Sequence, residues 1–459
     1  MSIFSGISFD FIANLYSIGG FLLSLWWIYI PLILFLFAKD LWIKSRRDKF
    51  VGGLEWVLLE VVPPRDIEKT PFAMEQLFAG LHGIQSVPNN RERLVDGVFQ
   101  RWFSFEMVSQ GGEIHFFVRT LSLFRDLIES NIYAQYPEAE ISQVADYVDT
   151  MPSDLPNDDY SLWGTELVLT KEDAYPIRTY PTFESAATSE EQRVDPISSL
   201  LEVINKIGPD EHVWIQTLVR PVKDDWKEDG EKLRDELVGR KEDKEEGFLV
   251  KEIKGFGVAA KSVAEEIVTG VPVAPGGDAE SKEKEDALFL WKTTKAEQEV
   301  IHAIEQNISK FGFDVIIRFV YFAKKDNFSR ARVAAVIGSY KQFGTQNLNG
   351  FKLNPKVTPN LDFAYQLKET RNTYRKKRVF ASYRKREFIP QSEAISYLKP
   401  FIFERLPILN WFFIRSKPFV LNVEELATVY HFPITGVKAP LVPKVEAKKG
   451  EPPMGLPVK

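Results

Sequence analysis

Cysteine is absent from the 459 residues of this chain. The absence excludes a disulfide scaffold, an iron–sulfur cluster, a thiolate zinc site and a cysteine nucleophile. Histidine is scarce, and no two histidines lie close enough in sequence to form a local metal motif, although distant ones can meet in a fold. We therefore expect neither a metal nor a cofactor. The five histidines are His82, His115, His212, His302 and His431.

Catalytic and nucleotide-binding motifs are missing as well. The segment GFGVAAKS (residues 255–262) resembles a phosphate-binding loop, but Ala260 stands where a glycine must let the backbone N–H groups wrap the phosphates. No Gly-x-Ser-x-Gly motif occurs, and no serine–histidine–acid arrangement follows from the spacing. The sequence therefore predicts neither a Walker-type ATPase nor another enzyme.

The charge balance excludes a globally basic nucleic-acid-binding coat, because 58 basic and 64 acidic residues give a net charge of -6. The acidity is local, since residues 222–286 alone contain 19 acidic and 12 basic residues. Such a segment is typical of a solvated helix and linker. With 44% hydrophobic residues, the rest of the chain can bury a sizeable core.

The N-terminal region carries no charge from Leu15 to Ala38, a stretch of 24 residues. About 20 apolar residues suffice to cross a bilayer. Basic residues follow between Lys39 and Lys49, and positive charge stays on the cytoplasmic side. A cleaved signal peptide would need basic residues before the apolar stretch. The sequence therefore predicts an extracytoplasmic segment over 1–14, a transmembrane helix over 15–38, a basic juxtamembrane segment over 39–54 and a cytoplasmic remainder.

The remainder shows two similar patterns of helices and strands. Residues 55–150 alternate in the order β-α-β-β-α-β, which is typical of a ferredoxin-like unit. Residues 160–355 repeat that order, with the charged residues 222–290 as an insertion. We therefore predict the α+β class, with a transmembrane helix followed by two ferredoxin-like units. The predicted strands of the first unit cover residues 55–62, 103–109, 113–120 and 138–147, and the clearest strand of the second covers 313–323.

Basic and aromatic residues alternate in RNTYRKKRVFASYRKREF, residues 371–388, and no acid occurs between positions 371 and 386. Cations can neutralise phosphates while rings stack on bases, so nucleic acid is one candidate ligand. Anionic lipid is a second candidate and an acidic protein partner is a third. The predicted lipid- or nucleic-acid-binding residues are Arg371, Arg375, Lys376, Lys377, Arg378, Arg384, Lys385 and Arg386.

The following apolar segment, residues 401–414, is too short and too often interrupted to cross a bilayer. It fits an interfacial position or a protein core equally well. We group it with the basic run as a basic and interfacial membrane-proximal segment over 356–418. Residues 434–459 are rich in proline and lysine and are predicted to be a disordered tail.

One segment carries a resemblance to a known family. FVLNVEELATVYHFP, residues 419–433, resembles the segment just before the motor domain in membrane-anchored ATPases of type IV secretion and conjugation systems, in the HerA/FtsK-like superfamily. An ordinary helix with Asn422 as its cap would show the same local pattern. The resemblance implies a motor-docking helix over 419–433. Its residues that match the family are Glu425, Leu426, Ala427, Tyr430, His431 and Pro433.

In that family a Walker-motif ATPase normally follows, whereas this chain ends 26 residues after Pro433. The resemblance therefore implies a single-pass, non-catalytic subunit of the bacterial inner membrane that anchors or positions a separate motor ATPase, with membrane lipid as a further partner. Because such motors work as rings, a homo-oligomer is expected. The alternative is a membrane-tethered nucleic-acid-binding protein that uses residues 371–388.

Overall fold

The computed structural model describes residues 26–64, 67, 69–184, 194–238, 294–359, 368–386, 388 and 417–434. Several predicted segments lie outside these residues: the extracytoplasmic segment 1–14, most of the charged insertion, the apolar segment 401–414 and the tail after Ile434. The strands are β1 (Trp56–Val62), β2 (Phe103–Gln110), β3 (Glu113–Leu121), β4 (Glu140–Val144), β5 (Tyr160–Leu169), β6 (Glu211–Pro221), β7 (Gly312–Lys324), β8 (Phe351–Leu353) and β9 (Phe419–Asn422). The helices are α1 (Trp26–Gly52), α2 (Phe72–Leu81), α3 (Arg125–Gln135), α4 (Tyr180–Glu184), α5 (Ser198–Asn205), α6 (Asp225–Leu237), α7 (Lys295–Ile308), α8 (Arg330–Lys341), α9 (Lys368–Lys385) and α10 (Val423–Val429).

All nine strands within the described residues belong to one antiparallel sheet. Eight of them lie in the order β4-β1-β3-β2-β6-β7-β5-β8. The ninth, β9, pairs with the first residues of β7, while β5 pairs with the later residues of the same strand. Strand β7 therefore lies at the centre of the second half, and it is buried along its whole length except for Lys324.

The two halves of the sheet join through β2 and β6. These strands would be the exposed edges of two separate units, but they pair over eight residues, from Phe103 opposite Val219 to Gln110 opposite His212. Edge pairing of this kind satisfies the backbone groups that an isolated edge would leave open. The predicted arrangement of a membrane helix and then two ferredoxin-like units is therefore corrected to an α+β protein with one nine-stranded antiparallel sheet.

The predicted membrane span over 15–38 is wrong. Residues 15–25 of that span lie outside the described residues, and residues 26–38 belong to α1, which continues past Lys39 and ends at Gly52. Among the residues that the structure describes, none of the helices combines the length and the apolar character that crossing a bilayer requires. The predicted single-pass localisation, with the N-terminus outside, is contradicted by the same finding.

The sheet is covered on both faces. Alternate residues of a strand point to opposite faces, so Leu59 and Val61 of β1 enter one core while Leu58 enters the other. The larger core lies under α2, α3, α5, α8 and α10 and contains the side chains of these helices. The smaller core lies under α9 and the segment after β4, where Val379, Phe380 and Tyr383 of α9 meet the sheet beside Tyr147 and Val148.

Candidate functional site

Helix α9 contains the basic run that the sequence singled out. Its buried side chains, Arg375, Val379, Phe380 and Tyr383, recur at the spacing of three to four residues that places them on one face. Two of these side chains are charged or hydroxylated, so the face that meets the sheet is amphipathic rather than apolar. The sheet beneath α9 must therefore offer polar partners.

Those partners form a row across four strands. Glu106 on β2 stands opposite Gln216 on β6, which stands opposite Arg318 on β7, and Arg318 stands opposite Glu166 on β5. All four residues are buried. The Arg318 Nε donates to Glu166 Oε1 at 2.8 Å, and its Nη1 donates to Gln216 Oε1 at 3.2 Å. We call these four residues the polar row.

The polar row also bonds to the last turn of α9. The Gln216 amide donates to the carbonyl oxygen of Tyr383 at 3.1 Å, and Arg318 donates to that of Ser382 at 3.4 Å. The last carbonyl groups of a helix lack partners within the helix. The sheet therefore supplies the bonds that end α9 in this orientation.

Arg386 follows α9 and is completely buried. It adopts a left-handed backbone conformation with φ of 49°, which turns its side chain under the helix end. The guanidinium donates to both carboxylate oxygens of Glu106, at 2.6 and 2.9 Å, and to both of Asp146, at 2.6 and 2.9 Å. Such two-pronged bonds between arginine and carboxylate are strong and fix the geometry.

The carboxylate of Glu106 is the centre of this cluster. Besides Arg386, it accepts hydrogen bonds from the hydroxyls of Ser104, at 2.5 Å, and Tyr147, at 2.6 Å. Burial acts to raise its pKa, but the charge and hydrogen bonds of Arg386 hold that pKa below the ordinary glutamate value. Glu106 is therefore ionised and paired inside the protein.

The structure divides the eight predicted basic residues. Arg375 donates to the carbonyl oxygen of Thr358 at 3.0 Å, and Arg384 donates to those of Val148 and Met151 at 2.8 and 2.9 Å. With Arg386, these arginines hold α9 on the sheet. Lys377 and Lys385 are exposed, whereas Arg371, Lys376 and Arg378 are half-buried.

The aromatic residues of the run divide in the same way. Phe380, Tyr383 and Phe388 are buried, and Trp214 on β6 packs against the first two. Tyr374 is the exception, with 39% of its surface exposed, and its hydroxyl accepts a hydrogen bond from Arg378 at 3.3 Å. Of the four rings, only Tyr374 is placed to contact a ligand in solvent.

The second predicted site, residues 419–433, forms strand β9 and helix α10. The Asn422 side chain accepts a hydrogen bond from the backbone N–H of Glu425 at 2.8 Å, and the Glu425 carboxyl group accepts one from the backbone N–H of Asn422 at 2.9 Å. This reciprocal pair is the capping box that the sequence pattern allowed. The same Glu425 also accepts the N–H of Ile177 at 2.8 Å, which ties α10 to the chain before α4.

Burial changes the acidity of Glu425 strongly. Its carboxyl group is enclosed, and burial raises its pKa to about 8 despite the two N–H donors, with Glu424 and Asp173 adding repulsion. A protonated Glu425 avoids the cost of a buried unpaired charge. Glu425 therefore differs from Glu106, whose charge is balanced by Arg386.

His431 closes the same segment. Its Nδ1 lies 2.8 Å from the carbonyl oxygen of Ala427, and its Nε2 lies 3.0 Å from Asp195 Oδ1. Both neighbouring oxygens are hydrogen-bond acceptors. Burial acts to raise the pKa of Asp195, but His431 holds that pKa below its ordinary value. Asp195 also accepts the N–H of Ile434 at 2.9 Å.

All six residues predicted to dock a motor are buried inside this protein. Leu426, Ala427 and Tyr430 lie in the larger core, and α10 packs against α2. A partner would reach these side chains only after α10 leaves the sheet. Docking of a motor therefore stays a prediction, and the surface that such docking would use is not that of the matched residues.

The polar row, the two carboxylates bound by Arg386 and the His431–Asp195 pair were not predicted from the sequence. A signal was present for two members of the polar row: Glu106 and Arg318 each stand directly between two apolar residues of a strand, and buried polar residues are the informative exceptions. Among the described residues, no group of three or more histidine, aspartate and glutamate side chains is arranged to hold a metal ion.

The comparisons with known proteins give a family without an activity. No curated protein matches this chain. The comparisons therefore do not link it to type IV secretion or conjugation, and that part of the expected role is corrected. A family model described as a domain of unknown function, DUF8128, matches residues 44–442 and therefore most of the chain. The chain belongs to the DUF8128 family.

Proposed function

We propose that this chain is a non-catalytic platform protein that positions a separate motor ATPase. The observation that carries the proposal is the placement of residues 419–433. They are a strand and a helix built into the sheet and its helix layer, not an appended peptide. In the family that this segment resembles, the motor follows it.

The platform offers a rigid point of attachment. The Glu425 carboxyl group of α10 accepts hydrogen bonds from the N–H groups of Asn422 and Ile177. Asp195, which contacts His431, holds the chain as far as Ile434. The residues after Ile434 therefore start from a fixed point on the folded part of the chain. We therefore propose that the motor binds residues 435–459. The six matched residues are buried and hold the start of that segment on the folded part of the chain.

The test is affinity purification of the full chain from its native host, compared with a chain that ends at Ile434. The shortened chain keeps β9 and α10, whereas a deletion from Phe419 onward would remove core residues and unfold the protein. We expect a Walker-motif ATPase to co-purify with the full chain and to be lost from the shortened one.

The matched control replaces residues 435–459 by a glycine–serine linker of equal length. This variant should also lose the ATPase while keeping the circular dichroism spectrum and melting temperature of the full chain. Absence of any motor ATPase from the purified full chain would refute the platform proposal.

A further inference from the structure

The inward arginines of α9 leave a second set of cations facing solvent. Arg375, Arg384 and Arg386 are occupied by carbonyl and carboxylate groups of the protein. The side chains of Lys377 and Lys385 are exposed and form neither a hydrogen bond nor an ion pair within the part of the chain that the structure describes. Arg378 donates only to the hydroxyl of Tyr374 among these residues. Some cations of the basic run therefore hold the helix on the protein while others face solvent, and the sequence alone does not show which are which.

The solvent-facing cations follow one side of the helix. Positions 374, 378, 381 and 385 are three or four residues apart and lie on one face, and position 377 adjoins it. With a rise of 1.5 Å per residue, Tyr374 and Lys385 are about 16 Å apart along the helix axis. Ala381, between them, is exposed and small. We call Tyr374, Lys377, Arg378 and Lys385 the outer stripe.

A second cationic contact adjoins α9. Burial lowers the pKa of Lys376, and the charge of Arg330, the first residue of α8, lowers it further. Lys376 on α9 and Arg330 on α8 therefore repel each other, and α9 contains no acid between Thr370 and Lys385. The flank of α9 next to α8 is therefore cationic as well.

The stripe has the chemistry of a phosphate-binding surface rather than of a protein interface. The core of a protein interface is rich in apolar and aromatic side chains. The apolar residues of α9, Val379 and Phe380, point into the sheet, and Tyr374 is the single large ring on the outer stripe. Three cations beside one exposed ring match the phosphate and base contacts of unpaired strands.

We propose that the outer stripe of α9 binds the backbone of single-stranded nucleic acid, with Tyr374 stacking on an unpaired base. The inward arginines hold α9 in place before the ligand binds. Binding therefore does not pay the conformational entropy of ordering the helix, which would lower the affinity of a flexible site. The proposal is independent of the motor partner, because the outer stripe and Ile434 belong to different segments.

Fluorescence anisotropy of the full chain with a labelled oligonucleotide of about 20 thymidines tests the proposal. The variant Lys377→Gln/Arg378→Gln/Lys385→Gln should bind at least about tenfold more weakly at about 50 mM salt. A plot of the logarithm of the binding constant against the logarithm of the salt concentration should have a slope smaller in magnitude by about 2 than that of the unchanged protein. Each of the three lost phosphate contacts accounts for about 0.7 of this difference. Tyr374→Ala should weaken binding to the single strand more than to a duplex of the same length.

The matched control is Lys206→Gln/Lys227→Gln/Lys232→Gln, which removes the same charge from exposed positions on α6 and in the turn between α5 and β6. It should bind as the unchanged protein does. Equal losses in both triple variants would overturn the proposal, as would a full chain that binds vesicles of anionic lipid but not the oligonucleotide. The melting temperature of each variant verifies that it is folded.

Discussion

The two faces of the sheet are held in different ways. On the larger face, α10 buries six of its seven residues, and its contacts with α2 and the sheet are largely apolar. On the smaller face, α9 is held by buried arginines, two carboxylates and backbone carbonyl groups. Apolar burial tolerates small shifts, whereas paired charges accept one geometry. We infer that the first face supplies stability and the second fixes the position of α9.

The largest effect should come from breaking the charge cluster on the α9 face. Arg386→Met leaves Glu106 buried without its cation, and removing one partner of a buried pair costs about 3–5 kcal/mol. Urea denaturation should show this loss in the free energy of unfolding. Arg384→Met is the control on the same helix end, because Arg384 is partly exposed and bonds mostly to carbonyl groups. If both variants lose the same stability, the cluster has no special role.

A cavity on the opposite face should cost nearly as much. Leu426 is completely buried among the helices and the sheet. Leu426→Ala should lower the free energy of unfolding by about 2–4 kcal/mol, through lost burial and an unfilled cavity. Leu426→Met, which conserves volume, should lose less than about 1.5 kcal/mol in the same urea titration. Together with Arg386→Met, the pair compares the cost of an unpaired buried charge with the cost of a cavity.

Glu425 makes the larger face sensitive to pH. Its pKa is about 8 in the folded protein and ordinary in the unfolded chain, so the folded state binds the extra proton between these values. Stability should therefore fall as the pH rises from about 5 to 8, by at most about 1.4 kcal/mol per unit. Glu425→Gln imitates the protonated form and should remove this component. Parallel stability–pH curves for the two proteins would contradict the raised pKa.

Local patterns were enough to predict many elements and not their assembly. The apolar run of β7 and the Gln110-Gly111-Gly112 turn between β2 and β3 mark strands and a hairpin by themselves. Pairing of β2 with β6 has no local signature, because it depends on two edges about a hundred residues apart. The charge-free stretch before Lys39 matched a membrane span by length and composition, but the helix that includes its second half continues into charged residues.

The same limit applies to the candidate sites. The basic run was visible as composition, yet which cations face inward depends on the register of four strands beneath α9. Arg386 meets Glu106 across 280 positions of sequence, and no spacing rule connects them. The 419–433 segment contained its capping box in the sequence, but the partners Ile177 and Asp195 are fixed only by the fold.

The smallest effect on stability should come from the outer stripe, and this separates the two roles of α9 most sharply. Lys385→Gln changes an exposed side chain, and such changes usually alter stability by less than about 0.5 kcal/mol. Its neighbour Arg386, one residue away, should cost about ten times more, since it is buried between Glu106 and Asp146. Urea titration of both variants at one pH makes the comparison. A loss above about 1 kcal/mol for Lys385→Gln would mean that the outer stripe also holds α9 on the sheet.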